Sequence, residues 1–142
     1  MRSVLFVCTH NSARSQMAEA LLRRHAGDRY DAMSAGLAPV GLHPLAVRVM
    51  REIGIDISGQ QSKSLEDFSR WAFVDYAIVV CETAERECPG PFPSGIERLY
   101  WPFEDPAALV GTEEDRLARF RQVRDAIQQR IRDWLDEKTA SA

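Results

Sequence analysis

Val4-Leu5-Phe6-Val7-Cys8-Thr9-His10-Asn11-Ser12-Ala13-Arg14-Ser15 governs the reading of this chain. An apolar β-type run stops at a cysteine. The small or polar residues Thr9 to Ala13 follow, then Arg14, Ser15 and a helical segment from Gln16 onward. So short a loop between strand and helix turns its backbone N–H groups inward and forms a nest for a tetrahedral oxyanion. Arg14 closes the nest with a planar fork matched to two anion oxygens. Cys8, on the floor, faces those N–H groups, the arginine and the positive end of the following helix, all of which favour thiolate over thiol. The expected object is a nucleophilic sulfur beneath a bound oxyanion. The plainer alternative makes Cys8 a buried strand-end hydrophobe and Arg14 a surface charge. The flanking strand and helix, and two further cysteines, count against it.

Outward from this loop the patterning alternates strand and helix, which predicts a parallel α/β sheet. Strands are expected at about Ser3–Val7, Tyr30–Ala35 (ending at Gly36), Tyr76–Val80 and Glu97–Tyr100, and the first helix at about Ser15–Ala26. A second helix opens at Pro44, carries Ala46, Val49, Met50 and Ile53 on one face, and stops at Gly54. Ser64-Leu65-Glu66-Asp67 resembles a capping box opening a short helix near Leu65–Trp71. Glu82–Glu87 reads as a helical turn or loop, Cys88–Pro93 as irregular, and Trp101–Gly111 as loop. The last helix, about Glu113–Glu137, carries Leu117, Phe120, Val123, Ile127, Ile131 and Trp134 as a core-packing stripe, with Thr139–Ala142 fraying. The fold class is therefore α/β: one domain over residues 1–142, with a four-stranded parallel open sheet flanked by helices.

In such sheets ligands sit beyond the carboxyl ends of the strands. Cys8 follows the first strand, Ser34 ends the second, Cys81 follows the third and Asp105 lies in the loop after the fourth, so the groups with useful chemistry share one edge. Like-charge repulsion keeps a carboxyl group beside a bound oxyanion protonated, which suits Asp105 to a general acid; alone it reads equally as an Asp-Pro turn opener. Cys81 and Cys88 are seven residues apart, about 10.5 Å along a helix, whereas a disulfide needs Cα atoms within about 7 Å. Joining them would require the polar segment between them to bend or unwind. Cys88 could instead be an ordinary loop cysteine. A zinc site from Cys8, His10, Cys81 and Cys88 is disfavoured because no Cys-x2-Cys knuckle is present, so no metal is expected.

Composition narrows the partners. With 45% hydrophobic and 27% charged residues the balance is that of a globular domain, and a net charge of −3 offers no electrostatic footprint for nucleic acid or an anionic membrane. The N-terminal apolar run is too short for a signal-peptide core or a membrane span. The expected location is the cytoplasm, where three cysteines do not make a structural disulfide framework and any disulfide is transient.

The stretches Cys8 to Ala20, Ser34-Ala35-Gly36, Cys81 with Cys88-Pro89, and Trp101-Pro102-Phe103-Glu104-Asp105-Pro106 resemble the thioredoxin-coupled arsenate reductases, which share the low-molecular-weight tyrosine phosphatase fold. The resemblance spans nearly the whole chain, and the three cysteines are its specific part. It implies that Cys8 is the nucleophile and that Arg14 and the loop Thr9, His10, Asn11, Ser12, Ala13 and Ser15 bind arsenate. Asn11 would brace the loop, Ser15 support the thiolate, Asp105 act as the acid, and Cys81 and Cys88 resolve. No cofactor is implied. Reducing equivalents would come from thioredoxin, or from another thiol such as glutaredoxin with glutathione, to a monomer.

This chain departs from the family pattern in places. His10 stands where members often have glycine and Ala13 where they have cysteine. Some members bind potassium through groups matching Asn11, Glu19 and Ser34 plus an aspartate. Lys63 stands at that last position, and its ammonium opposes a bound cation and could replace it. The rival enzyme is a phosphomonoesterase, which shares the first step but typically places tyrosines after the Asp-Pro pair, where this chain has Ala107 and Ala108. A non-catalytic oxyanion sensor needs neither Asp105 nor a resolving pair.

Overall fold

The apolar run that opens the chain becomes the centre of the sheet in the computed structural model, which describes residues 1–68, 73–87 and 95–141. Val4, Leu5, Phe6 and Val7 are fully buried, as befits a parallel strand covered on both faces. This strand, β1 (Arg2–Cys8), pairs on one side with β2 (Tyr30–Gly36) and on the other with β3 (Tyr76–Val79), which pairs in turn with β4 (Glu97–Tyr100). All three pairings are parallel and the order is β2-β1-β3-β4. The register sets Cys8 opposite Gly36, and Val79 opposite both Val7 and Tyr100. The carboxyl ends of the strands therefore finish together.

The helices are α1 (Arg14–Ala26), α2 (Pro44–Arg51), α3 (Glu82–Glu87) and α4 (Glu113–Ser141). α4 packs against α1 and α2, while α3 lies against β1 and β3. The predicted stripe on α4 is buried throughout, from Leu117 to Trp134. Trp134 stacks edge-on against Tyr76 and Trp101, with ring centroids 5.1 and 5.9 Å apart. Pro44 sits in the first turn of α2, and His43 caps it by accepting from the Leu45 N–H through Nδ1 at 3.1 Å. Gly54 ends this segment at φ +80°, a conformation that favours glycine.

Three expectations are corrected. The tail does not fray at Thr139: α4 runs to Ser141, with Thr139 and Ser141 hydroxyls donating to the carbonyls of Leu135 and Glu137. The short helix after Ser64 is a 3-10 turn over Leu65–Phe68, entered by a Glu66 N–H bond to the Ser64 hydroxyl. The expected loop Trp101–Gly111 contains a 3-10 turn at Pro106–Ala108, capped by Asp105. The end of the helix expected to reach Trp71, and Cys88 with the irregular stretch to Pro93, lie outside the described residues.

Candidate active site

The loop between β1 and α1 is shaped by its neighbours. Five successive carbonyls, from Cys8 to Ser12, are drawn outward to donors elsewhere. Leu37, Ala38, Val40 and His43 N–H groups take those of Cys8, Thr9, His10 and Ser12 at 2.8 to 3.2 Å. The Gln16 amide takes that of Asn11 at 3.0 Å. The loop carbonyls are thus committed to these donors, and the His10 N–H donates to the Cys8 sulfur. Asn11 makes the turn at φ 48°, a left-handed conformation that asparagine tolerates. Its side chain donates to Ser15 Oγ at 2.8 Å and accepts from Gln16 Nε2 and the Lys63 N–H at 3.0 and 2.7 Å. These bonds tie Asn11 to α1 and to the Lys63 backbone. Gly36 lies directly behind: a Cβ there would sit 2.8 Å from the Thr9 carbonyl oxygen and 2.9 Å from Asn11 N and Cβ.

Above this floor the expected residues converge. Arg14, in the first turn of α1, donates to the Phe103 carbonyl at 2.9 Å and approaches Asp105 at 3.9 Å. Asp105 is half-exposed and also accepts from the Ala107 N–H at 3.0 Å. Arg14, Asp105, Tyr100, Phe103, Glu82 and Cys81 line a cleft of about 420 Å³. Cys8 is buried beneath, and Cys81, just past β3, is buried beside it. Ser15 is placed differently from the expectation. Its Oγ accepts from Asn11, and no hydrogen bond joins it to Cys8 among the described residues. His10 is exposed, with its carbonyl held by Val40 and the Ser62 hydroxyl.

The two sulfurs are neighbours, and each shifts the ionisation of the other. Cys81 is lowered to about 5, chiefly by the hydrogen bond from Cys8, then by the Thr9 hydroxyl at 3.3 Å, the Ala84 N–H at 3.4 Å and the Arg14 charge. Cys8 is raised by that same bond, by burial and by the Cys81 charge, against Arg14 and the His10 N–H. The sequence leads to a thiolate on Cys8; beside it, the Arg14 charge and the Thr9 and Ala84 donors also favour a thiolate on Cys81. Thr9, expected only to line the loop, thus holds Cys81 through its side chain. Neither this hydroxyl contact nor the Phe103 carbonyl on Arg14 has a spacing signal in the sequence.

A second polar cluster braces the far side of the loop. The buried Glu19 carboxylate accepts from Ser34 Oγ at 2.6 Å and pairs with Arg23 at 2.9 Å and Lys63 Nζ at 3.6 Å. Lys63 Nζ also donates to the Gln61 carbonyl at 2.7 Å. The ammonium thus occupies the group of residues at which the resemblance would place a cation. Among the described residues, no three or more His, Cys, Asp or Glu side chains are arranged to hold a metal ion, and no helix is long and apolar enough to cross a membrane.

The chain matches the family of low molecular weight phosphotyrosine protein phosphatases over residues 3–141. It is 44% identical over 133 residues to the arsenate reductase of Halalkalibacterium halodurans, covering 94% of both chains. Its fold superposes on a solved arsenate reductase in the oxidized state with a TM-score of 0.82 and 32% identity, over 96% of this chain and 98% of the other. The thioredoxin-dependent arsenate reductase of Corynebacterium glutamicum aligns with all of this chain and 64% of its own, at TM-score 0.76 and 31% identity. With its β1–α1 loop, its paired sulfurs and these relatives, the chain belongs to the low molecular weight phosphotyrosine protein phosphatase family, and within it to the arsenate reductases.

Proposed function

We propose that this protein reduces arsenate to arsenite, with Cys8 as the nucleophile and thioredoxin as the source of electrons. The observation that carries this reading is the Cys8–Cys81 sulfur pair under the cleft. A hydrolase needs one thiol there; a reductase needs a second within reach. The arsenate reductase relatives support the substrate, and the thioredoxin-dependent relative supports the reductant.

The reading runs through these steps. Arsenate enters the loop and is gripped by its N–H groups and the Arg14 fork. The Cys8 thiolate attacks arsenic, and Asp105 protonates the departing hydroxide, which leaves as water. Cys81, once deprotonated, attacks the Cys8 sulfur. The S–S bond forms, the S–As bond breaks and its electron pair stays on arsenic, releasing arsenite. Cys88 then attacks Cys81, freeing Cys8 and moving the disulfide to Cys81–Cys88. This last exchange calls for the Glu82–Glu87 segment to bend or unwind, since residues seven apart in a helix would be separated by about 10.5 Å. α3 is a short polar helix, so its opening is cheap. Thioredoxin reduces the disulfide, in the cytoplasm and on a monomer.

Hydrolysis of phosphomonoesters shares the first step and is the second activity of the site. Ala107 and Ala108, both exposed beside Asp105, offer no ring to grip an aryl ester. The test is arsenate-dependent NADPH oxidation with thioredoxin and its reductase, or glutaredoxin with glutathione, supplied in turn. Turnover with thioredoxin that is lost in Cys8→Ser is expected. Turnover with glutaredoxin alone would replace the reductant, and turnover in Cys8→Ser would remove Cys8 from the mechanism.

A further inference from the structure

At the far end of α1, about 16.5 Å of helix rise from Arg14, lies a separate cleft of about 360 Å³ between α1, α4 and the segment after α2. The half-buried Ile53 and Ile55 form its apolar surface over the buried Leu21, and Arg24, Arg132 and His25 stand around it. Most arginines of this chain are paired with carboxylates, as Arg23 is with Glu19, Arg48 with Glu113 and Arg121 with Glu52. Among the described residues Arg2, Arg24, Arg116 and Arg132 have no carboxylate within ion-pair distance, and of these Arg24 and Arg132 line the same cleft. Arg24 donates to the Gly54 carbonyl at 2.6 Å, which fixes one edge of its guanidinium. The Gln128 amide donates to His25 Nε2 at 3.2 Å, so the neutral ring carries its proton on Nδ1.

We propose that this cleft is a second ligand site, built for a small organic carboxylate whose head lies between Arg24 and Arg132 and whose short apolar body covers Ile53 and Ile55. A carboxylate in this cleft supplies the counter-charge both guanidiniums lack and accepts planar, bidentate bonds. Arg24 has a partial explanation of its own, since cations in the last turn of a helix complement its dipole. Arg132, in the interior of α4, has no such reason. The dipole also selects among anions. The cleft meets the negative end of α1 and no backbone N–H nest, so a flat monoanion suits it better than a tetrahedral dianion, which belongs at the other end of the same helix. The positive field is felt by His25, which is lowered by burial and then by the Arg132 and Arg24 charges.

The probe is hexanoate, titrated into the reduced, 15N-labelled protein, with acetate and inorganic phosphate in parallel. Saturable amide shifts at Arg24, His25, Ile55 and Arg132 are expected, with a dissociation constant of about 1 mM or below. Arg24→Ala with Arg132→Ala should weaken hexanoate about tenfold or more, and the corresponding double lysine variant should restore only part of it. Both side chains are exposed, so these variants should fold, and an unchanged melting temperature checks that they do. Acetate should bind more weakly, for want of an apolar body. Shifts confined to the Cys8–Ser15 loop, no saturable shift, or equal hexanoate affinity in the double alanine variant would overturn the site. Phosphate binding this cleft as tightly as hexanoate would overturn the carboxylate assignment.

Discussion

Gly36→Ala tests whether the oxyanion loop is held in place from behind. A Cβ at this position would lie 2.8 Å from the Thr9 carbonyl oxygen and 2.9 Å from Asn11 N and Cβ, where ordinary contact begins at 3.4 Å. All three are loop atoms, and the loop is tied to the segment after β2 by the Leu37 and Ala38 N–H bonds. The overlap therefore moves the loop by about 0.5 Å rather than rotating a side chain away. Overpacking of this kind costs about 1–3 kcal/mol, a fall in melting temperature of roughly 3–10 °C for a chain of this size. A 1 Å misplacement of reacting groups costs about 100-fold, so half that distance should cost about tenfold in kcat/KM. The assay is arsenate-dependent NADPH oxidation with the thioredoxin system, alongside a thermal melt. Gly59→Ala is the control, because nothing lies within 4 Å of its Cβ. Wild-type kcat/KM in Gly36→Ala, or equal damage from Gly59→Ala, would refute the reasoning.

Other expectations bear on the sulfurs, the arginine and the lysine. Cys81→Ser should abolish multiple-turnover arsenate reduction but retain slow hydrolysis of p-nitrophenyl phosphate. The hydrogen bond and charge that raise Cys8 are then gone, so the acid limb of its pH–rate profile should move to lower pH, with about tenfold more thiolate for each pH unit it moves; an unmoved limb would uncouple the two sulfurs. Arg14→Lys loses the fork and the bond to the Phe103 carbonyl, and arsenate KM should rise about 10- to 100-fold; a near-normal KM would leave binding to the loop N–H groups alone. With Lys63 paired to Glu19, melting temperature and rate should be the same in potassium and tetramethylammonium chloride at equal ionic strength. A potassium-specific rise in either would contradict the ammonium's role.

Much of this was legible because parallel sheets obey a positional rule. Once Val4–Val7 is read as a buried strand, Cys8, Ser34, Cys81 and Asp105 fall at one edge without further assumption. The α4 stripe was legible for a similar reason, its 3.6-residue period. What was not legible depends on atoms brought together from distant segments. The Thr9 hydroxyl meets Cys81 across 72 positions and Arg14 meets the Phe103 carbonyl across 89, and no local pattern encodes either contact. The groups that favour a Cys81 thiolate are illegible for the same reason: the Thr9 hydroxyl and Arg14 reach it from the β1–α1 loop, whereas the sequence shows only that each cysteine comes at or after the end of a strand. The Asp105 turn was half legible, since Asp-Pro predicts a cap but not the neighbouring guanidinium.

The Lys63–Glu19 contact changes what kind of equilibrium neutralises a buried carboxylate. A dissolved counterion is captured from solution, loses its translational freedom on binding, and leaves again when the medium is diluted or exchanged. A tethered ammonium has a fixed effective concentration beside its partner, set by the fold and independent of the bath. The entropic cost of placing it is met once, during folding, together with the ordering of the Ser62–Ser64 segment that carries it. The brace behind the oxyanion loop thereby becomes a heritable property of the chain, removed by a change at one codon and indifferent to a change of salt.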